Sequence, residues 1–262
     1  VTEGMRVMTF NLRTDFPLDI NNRWRKRSSI IYEVFEKYKC DIVGVQELNN
    51  MMFSDISRNV EGYNIVGQPR SERISMERND ILVSKEHEII ENNTFWLSNS
   101  PDKVGTSLWY SVFPRICTTA TIRLKGGTTV RIYNTHLDCF SSKARRVELR
   151  KIVEYMDKKY EEDRLPVILM GDFNATPGSR LIKDFANDSG SKRRFIAVQE
   201  YNKDIYGRST MSNFRGTKKG RHIDYIFVSE EFEIVNTEIV DYHINGKYPS
   251  DHYPIIADLV IR

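Results

Sequence analysis

The stretch PVILMGDFN, residues 166–174, decides how this chain folds. Its first part is an apolar run of strand length with no polar alternation, the pattern of a strand covered on both faces. Its second part, Gly171-Asp172-Phe173-Asn174, ends that run on a carboxylate and an amide. A buried strand that stops on polar residues carries them to the rim of a sheet, where they can act together without entering the core.

Outward from this strand, apolar runs of strand length alternate with amphipathic helical patterns. Upstream, residues 143–160 read as a long helix with Leu149, Ile152, Val153, Met156 and Tyr160 inward. Before it, 118–124 and 130–135 flank Gly126-Gly127, a hairpin signal. Toward the N-terminus, 5–12, 41–46 and 81–83 read as strands. Between the first two, 23–39 reads as a helix with Ile30, Ile31, Val34, Phe35 and Tyr38 on one face. Downstream, 223–228 and 255–261 are the last clear strands. Strands outnumber helices, which points to an α+β layered architecture rather than a βαβ repeat. No repeat or linker interrupts the pattern, so a single domain over 1–262 is expected. Residues 98–114 are the least regular stretch, and long loops in compact domains tend to be functional.

The chain is 40% apolar and 29% charged, as ordinary globular proteins are. Its net charge of +3, from 39 basic and 36 acidic residues, gives little long-range pull on a polyanion. Nucleic acid is neither required nor excluded, because a basic cleft can sit inside a near-neutral total. No apolar run reaches the length of about 18 residues that suggests a membrane span. The opening residues Val1-Thr2-Glu3-Gly4-Met5-Arg6 lack the pattern of a signal peptide, although a leader removed earlier would leave the same start. Cys40, Cys117 and Cys139 are odd in number and far apart, which argues against a disulfide framework. A monomer in a reducing cytoplasm is the expectation.

The chemistry lies where the strands stop. Asn11 closes the first strand, and 41–46 runs into Glu47. The strand at 130–135 delivers His136, and 166–170 delivers Asp172 and Asn174. Asp224 stands at the start of its strand, and Asp251-His252 at the entry to the last one. Carboxylates and an amide suit a hard, oxygen-seeking cation such as Mg²⁺, with Mn²⁺ as the alternative. No Cys/His set of the zinc kind accompanies them. A histidine paired with an aspartate can act as a base or hold developing charge. A divalent cation with such a pair is equipped for in-line attack of water on phosphorus.

TFNLR (9–13), VQE (45–47), NTHLD (134–138), GDFN (171–174), HIDYIF (222–227) and SDHYP (250–254) together resemble the endonuclease/exonuclease/phosphatase superfamily, the deoxyribonuclease-I-like fold. Each motif alone is weak; all of them, in the family's order from Thr9 to Pro254, are specific. The resemblance implies a four-layered α/β sandwich, two mixed β-sheets face to face with helices outside. It implies that Glu47 is the principal metal ligand, with Asn11 beside it and Asp251 on the metal side. His252 would be the general base or charge-stabilising histidine, oriented by Asp224. Asp172 and Asn174 would position the attacking water and the scissile phosphate. His136 would contact a phosphate oxygen and stabilise the pentacovalent transition state. Glu77, in ERNDILV, would hold His136. The first motif has Arg13 where abasic-site endonucleases of the superfamily carry an acidic residue. It is therefore closer to the deoxyribonuclease type, and a second metal position is not expected.

Three further residues are substrate-binding candidates. Arg115, after Pro114, can clamp a phosphate bidentately or lie at the surface. Trp109, in the irregular loop, can stack on a base or sugar or fill a core. Asn134 either supports its loop or touches substrate. Asp172 and the Asp224–His252 pair remain rival general bases. The motif set leans to a phosphodiester, nucleic acid or nucleotide-like. A phosphomonoesterase, or a lipid-headgroup hydrolase of sphingomyelinase or inositol-phosphate type, is the alternative on the same site.

Overall fold

Aliphatic and β-branched runs build two mixed six-stranded sheets in the computed structural model, which describes residues 2–73 and 76–262. In chain order the strands are β1 (Glu3–Asn11), β2 (Ile42–Gln46), β3 (Tyr63–Val66), β4 (Ile81–Ser84), β5 (Glu88–Trp96) and β6 (Ile116–Arg123). They continue as β7 (Thr129–His136), β8 (Val167–Asp172), β9 (Phe195–Ala197), β10 (Asp224–Ser229), β11 (Phe232–Ile239) and β12 (Ile255–Ile261). The α-helices are α1 (Trp24–Tyr38), α2 (Asn50–Asn59), α3 (Ser142–Asp163) and α4 (Arg180–Asn187). One sheet has the order β11-β12-β1-β2-β4-β3, the other β5-β6-β7-β8-β10-β9.

The residues of β8 explain the layering. Ile168 and Met170 face the other sheet, in a core shared with Val7, Ile42 and Ala257. Val167 and Leu169 face outward into a second core with Leu149, Ile152 and Met156 of α3 and Phe185 of α4. On the first sheet, Met8, Phe10, Val43 and Val45 turn outward to Ile31, Val34 and Phe35 of α1 and Met52 and Ile56 of α2. The result is a four-layered α/β sandwich, helix–sheet–sheet–helix. Gly44 lets the sheets approach, since a Cβ there would stand 2.6 Å from Met170 Sδ. Side chains of Asn49, Ser141 and Ser179 cap α2, α3 and α4 by accepting from backbone N–H groups in the first turn.

Residues 50–59, 88–96 and 232–239 carry structure that the sequence pattern does not announce. β5 and β11 are edge strands, and each is interrupted by a register shift, between Ile89 and Glu91 and between Ile234 and Asn236. A bulge resets the two-residue alternation, and an edge leaves one side polar. Among the described residues, no helix is long and apolar enough to cross a membrane. The three cysteines are free.

Strand direction positions the site. β1 runs parallel to β2, and β7 parallel to β8. β12 is antiparallel to β1, and β10 antiparallel to β8. The ends of β1, β2, β7 and β8 therefore meet the starts of β10 and β12 at one rim of the sandwich.

Candidate active site

Register alone brings three of the expected residues into a row. His136 pairs with Asp172 across β7 and β8, and Asp172 pairs with Asp224 across β8 and β10. From the facing sheet, Asn11 pairs with Gln46, so the next residue, Glu47, arrives beside it. The residue before β12's approach, His252, completes the group. Its Nδ1 donates to Asp224 Oδ2 at 2.8 Å, and its Nε2 lies 3.8 Å from Asp172 Oδ2. His136 Nε2 lies 3.3 Å from the same oxygen. Asn11 Nδ2 ties the carboxylates together, donating to Glu47 Oε2 at 2.7 Å and to Asp172 Oδ2 at 3.0 Å. The Asn174 N–H donates to Asp172 Oδ1 at 2.9 Å.

Most of these side chains line a cleft of about 380 Å³, with Asn11 and Asp224 behind its lining. Glu47, His136, Asp172, Asn174, Asp251 and His252 form its carboxylate-and-imidazole part, and Arg13, Arg70, Arg115 and Arg221 also reach it. A larger hollow of about 530 Å³ beside Tyr32 and Tyr63 contains none of them. Arg13, Glu47 and Asn174 hold φ of 59°, 58° and 49°. Left-handed backbone at non-glycine residues costs roughly 1 kcal/mol or more each and collects at functional sites.

Proton affinities diverge across the cleft. Burial pulls His252 down, but Asp224, Asp251 and Asp172 together carry it well above the usual histidine range. Burial, with Arg115, Arg70 and His252 nearby, drives His136 well below that range. Burial and repulsion from Asp224 push Asp172 up to about 7. Burial, with Glu47 close by, also pushes Asp251 up. The two histidines are thus pushed in opposite directions.

Ligand atoms of Glu47, His136 and Asp172 lie within 4.8 Å of one another, as do those of Asp172, Asp224 and His252. The second group is fully buried and already joined by the His252–Asp224 hydrogen bond. The first includes the half-buried Glu47, open to the cleft, and its crowded oxygens are ones a cation would relieve. The residues present fit a divalent cation there.

Several expected roles shift. Asn134 does not reach the cleft. It is fully buried between the sheets, donating to Val45 O and Asp80 O and accepting from Gln46 Nε2, because its place in β7 faces the other sheet. Trp109 lies outside the lining, 88% exposed, against Tyr110 and Lys143. Asn11 Oδ1 accepts from the Arg13 N–H while its Nδ2 donates to Glu47 and Asp172, so this amide stands against the carboxylates. Glu77 lines the cleft, but it pairs with Arg70 at 2.5 Å, and the carboxylate that meets His136 is Asp172. Arg115 does line the cleft, buried, with its Nε 3.9 Å from Asp138 Oδ1 and without a hydrogen-bond partner among the described residues. Sequence reading missed Arg70, whose signal was only its neighbourhood to Glu77. It also missed Asp138, the last residue of NTHLD.

The model of the endonuclease/exonuclease/phosphatase family matches residues 8–252. No curated protein matches the chain. Among solved structures, an endonuclease/exonuclease/phosphatase family protein from Bacteroides thetaiotaomicron is 26% identical, with a TM-score of 0.88 over 100% of this chain and 99% of that one. The mannosyl-6-phosphatase Bt3783 of B. thetaiotaomicron VPI-5482 is 26% identical, with a TM-score of 0.87 over 97% of this chain and 99% of that one. The human Nocturnin catalytic domain, 18% identical with a TM-score of 0.76 over 99% and 94%, shares the fold.

Proposed function

This chain belongs to the endonuclease/exonuclease/phosphatase family, whose members hydrolyse phosphate esters, and we propose that it is a divalent-cation-dependent phosphatase that prefers phosphomonoesters. The observation that carries the reading is Asp172 set between two histidines, 3.3 Å from His136 and 3.8 Å from His252, and tied through Asn11 to Glu47.

Glu47 would hold the cation, with Asp172 and His136 in reach, and Mg²⁺ or Mn²⁺ bound there would neutralise charge on a phosphate oxygen. His252, kept protonated, stabilises charge on the phosphoryl oxygens and supplies a proton to the leaving oxygen. Asp172, the carboxylate between the two histidines, takes the proton of the attacking water. The rival base is disfavoured because a histidine that stays protonated has no lone pair to offer. Asp224 orients His252, and the Asn174 N–H and Asn11 amide orient Asp172. His136, neutral beside Arg70 and Arg115, contacts the phosphate from the other side.

The arginines favour a monoester. A terminal phosphate carries up to two negative charges where a diester carries one, and Arg115 and Arg70 are placed for charge-assisted contacts. The name of the Bacteroides mannosyl-6-phosphatase points the same way. The ordered nuclease-type motifs keep a phosphodiester, nucleotide-like, as the second reading. Rates on p-nitrophenyl phosphate and bis(p-nitrophenyl) phosphate, with Mg²⁺ or Mn²⁺ and with chelator, test both. Cation-dependent activity, faster on the monoester and abolished by Glu47→Ala, is expected. A faster diester reaction selects the second reading, and activity indifferent to chelation and to Glu47→Ala sinks the mechanism.

A further inference from the structure

Three phenylalanines from three separate segments meet at the same cleft. Phe16 comes from the loop after β1, Phe113 from the irregular loop before β6, and Phe140 from the turn between β7 and α3. Phe140 is 73% exposed and Phe16 41% exposed. Exposed aromatic rings forgo the burial that would stabilise the fold, and several of them lining one polar cleft point to a binding function. Phosphate handling does not call for them, because a phosphate is recognised by charge and hydrogen bonds.

The rings are held in place. The Arg13 guanidinium lies 5.4 Å from the Phe16 ring centroid, and that of Arg70 5.0 Å from the Phe113 centroid. The Phe140 N–H donates to Asp138 Oδ2 at 2.9 Å, and Asp138 also accepts from Ser111 in the loop that carries Phe113. Phe16 and Phe113 are thus each backed by a guanidinium, and the Asp138 carboxylate fixes two of the segments. A ligand complementary to such a lining carries a phosphate at one end and a ring with an apolar face at the other. The cleft, about 380 Å³, is of small-molecule size.

Resting on the phosphatase reading, we infer that Phe16, Phe113 and Phe140 form a subsite for the alcohol portion of the substrate, and that this portion is a sugar or nucleoside ring. The phosphate end lies toward His136, Asp172 and His252, and the ring stacks at the mouth. Phe16 and Phe140 determine specificity and take no part in the bond cleavage.

The test compares kcat/KM for mannose 6-phosphate, adenosine 5′-monophosphate and acyclic glycerol 3-phosphate in the cation-loaded protein. Wild type, Phe16→Ala/Phe140→Ala and Phe16→Trp/Phe140→Trp are measured. Ring-bearing esters are expected to lead glycerol 3-phosphate by about tenfold or more, the scale of one good aromatic stacking contact. The alanine pair should collapse that ratio mainly through KM, and the tryptophan pair should keep it. Which of the two ring esters leads identifies a sugar or a nucleoside as the source. Equal kcat/KM for ring and acyclic esters, or a preference untouched by the alanine pair, overturns the inference alone. Hydrolysis of no ester by wild type overturns the phosphatase reading and this subsite with it.

Discussion

The two histidines of the cleft are the same residue in nearly the same burial, yet they are driven in opposite directions. His252 is ringed by Asp224, Asp251 and Asp172 and stays protonated. His136, buried and beside Arg115 and Arg70, is driven well below the usual histidine range. The difference teaches that neighbours, more than residue type or depth, assign charge inside this site. One side supplies a proton and holds carboxylates; the other offers guanidiniums and a neutral imidazole to an incoming phosphate.

The largest expected effect breaks the charged side. His252→Ala should lower kcat by about 10³-fold with little change in KM, because a charged donor to the transition state is lost. His136→Ala should cost less in kcat and more in KM, since a neutral imidazole beside two arginines contributes mainly to binding. Steady-state kinetics on one monoester decides this. Equal kcat losses for the two variants would erase the distinction between the sides.

Next comes the carboxylate that sets the charge. Asp224→Asn should cut kcat by about 10²-fold, the effect of a misoriented and less basic histidine. It should also move the whole pH–rate profile toward acid. The rising limb follows Asp172, whose affinity falls when the repulsion of Asp224 is removed. The falling limb follows His252, whose proton is held less tightly without its partner. Both limbs therefore shift the same way, as apparent values of a coupled set. A falling limb that stays in place would show that His252 owes its charge to something else.

On the other side, Arg115→Ala should raise KM by about 10- to 100-fold, the scale of a charge-assisted phosphate contact. The same substitution removes a cation from beside His136, so the imidazole should bind its proton more tightly. NMR titration of His136 reads this directly. An unmoved His136 would assign its neutrality to burial alone.

How much of this was legible in the sequence follows from how local each signal is. Glu47, His136, Asp172 and His252 announce themselves because each ends or begins a strand, and a polar residue after an apolar run is visible within a few positions. Asn134 carries the same signal and misleads, because alternation along β7 turns it toward the facing sheet, where it joins Val45 and Asp80. The arginine side is harder to read. Arg115 stands out only by following Pro114, and it becomes a neighbour of Arg70 and Arg221, from distant segments, only through the fold. The layers were readable from β8 and α3, while α2 and the bulged edges β5 and β11 carry too little regular pattern to be seen.

The smallest effect lies behind the arginine side. Glu148 of α3 is fully buried, with Oε1 accepting from the Asp138 N–H at 2.8 Å and Oε2 without a hydrogen-bond partner among the described residues. Burial pushes its affinity up from 4.5 to about 7. The folded chain thus holds this proton more tightly than the unfolded chain does. Stability from this group is full below about pH 4.5, falls as pH rises toward 7 and is lost above it, a cost of roughly 3 kcal/mol at most. Glu148→Gln keeps the acceptor for Asp138 and cannot ionise, but it leaves an amide N–H₂ to be satisfied at about 1 kcal/mol or more. The variant should gain about 1–2 kcal/mol over wild type at pH 8, a rise in Tm of roughly 2–8 °C for a chain of this size. At pH 5 that gain should vanish or reverse, because wild-type Glu148 is then neutral too. Thermal unfolding at the two pH values measures the difference. A Tm difference independent of pH would mean that Glu148 is ionised in the folded protein, and that the arginine side is balanced by one more carboxylate charge than its neighbours suggest.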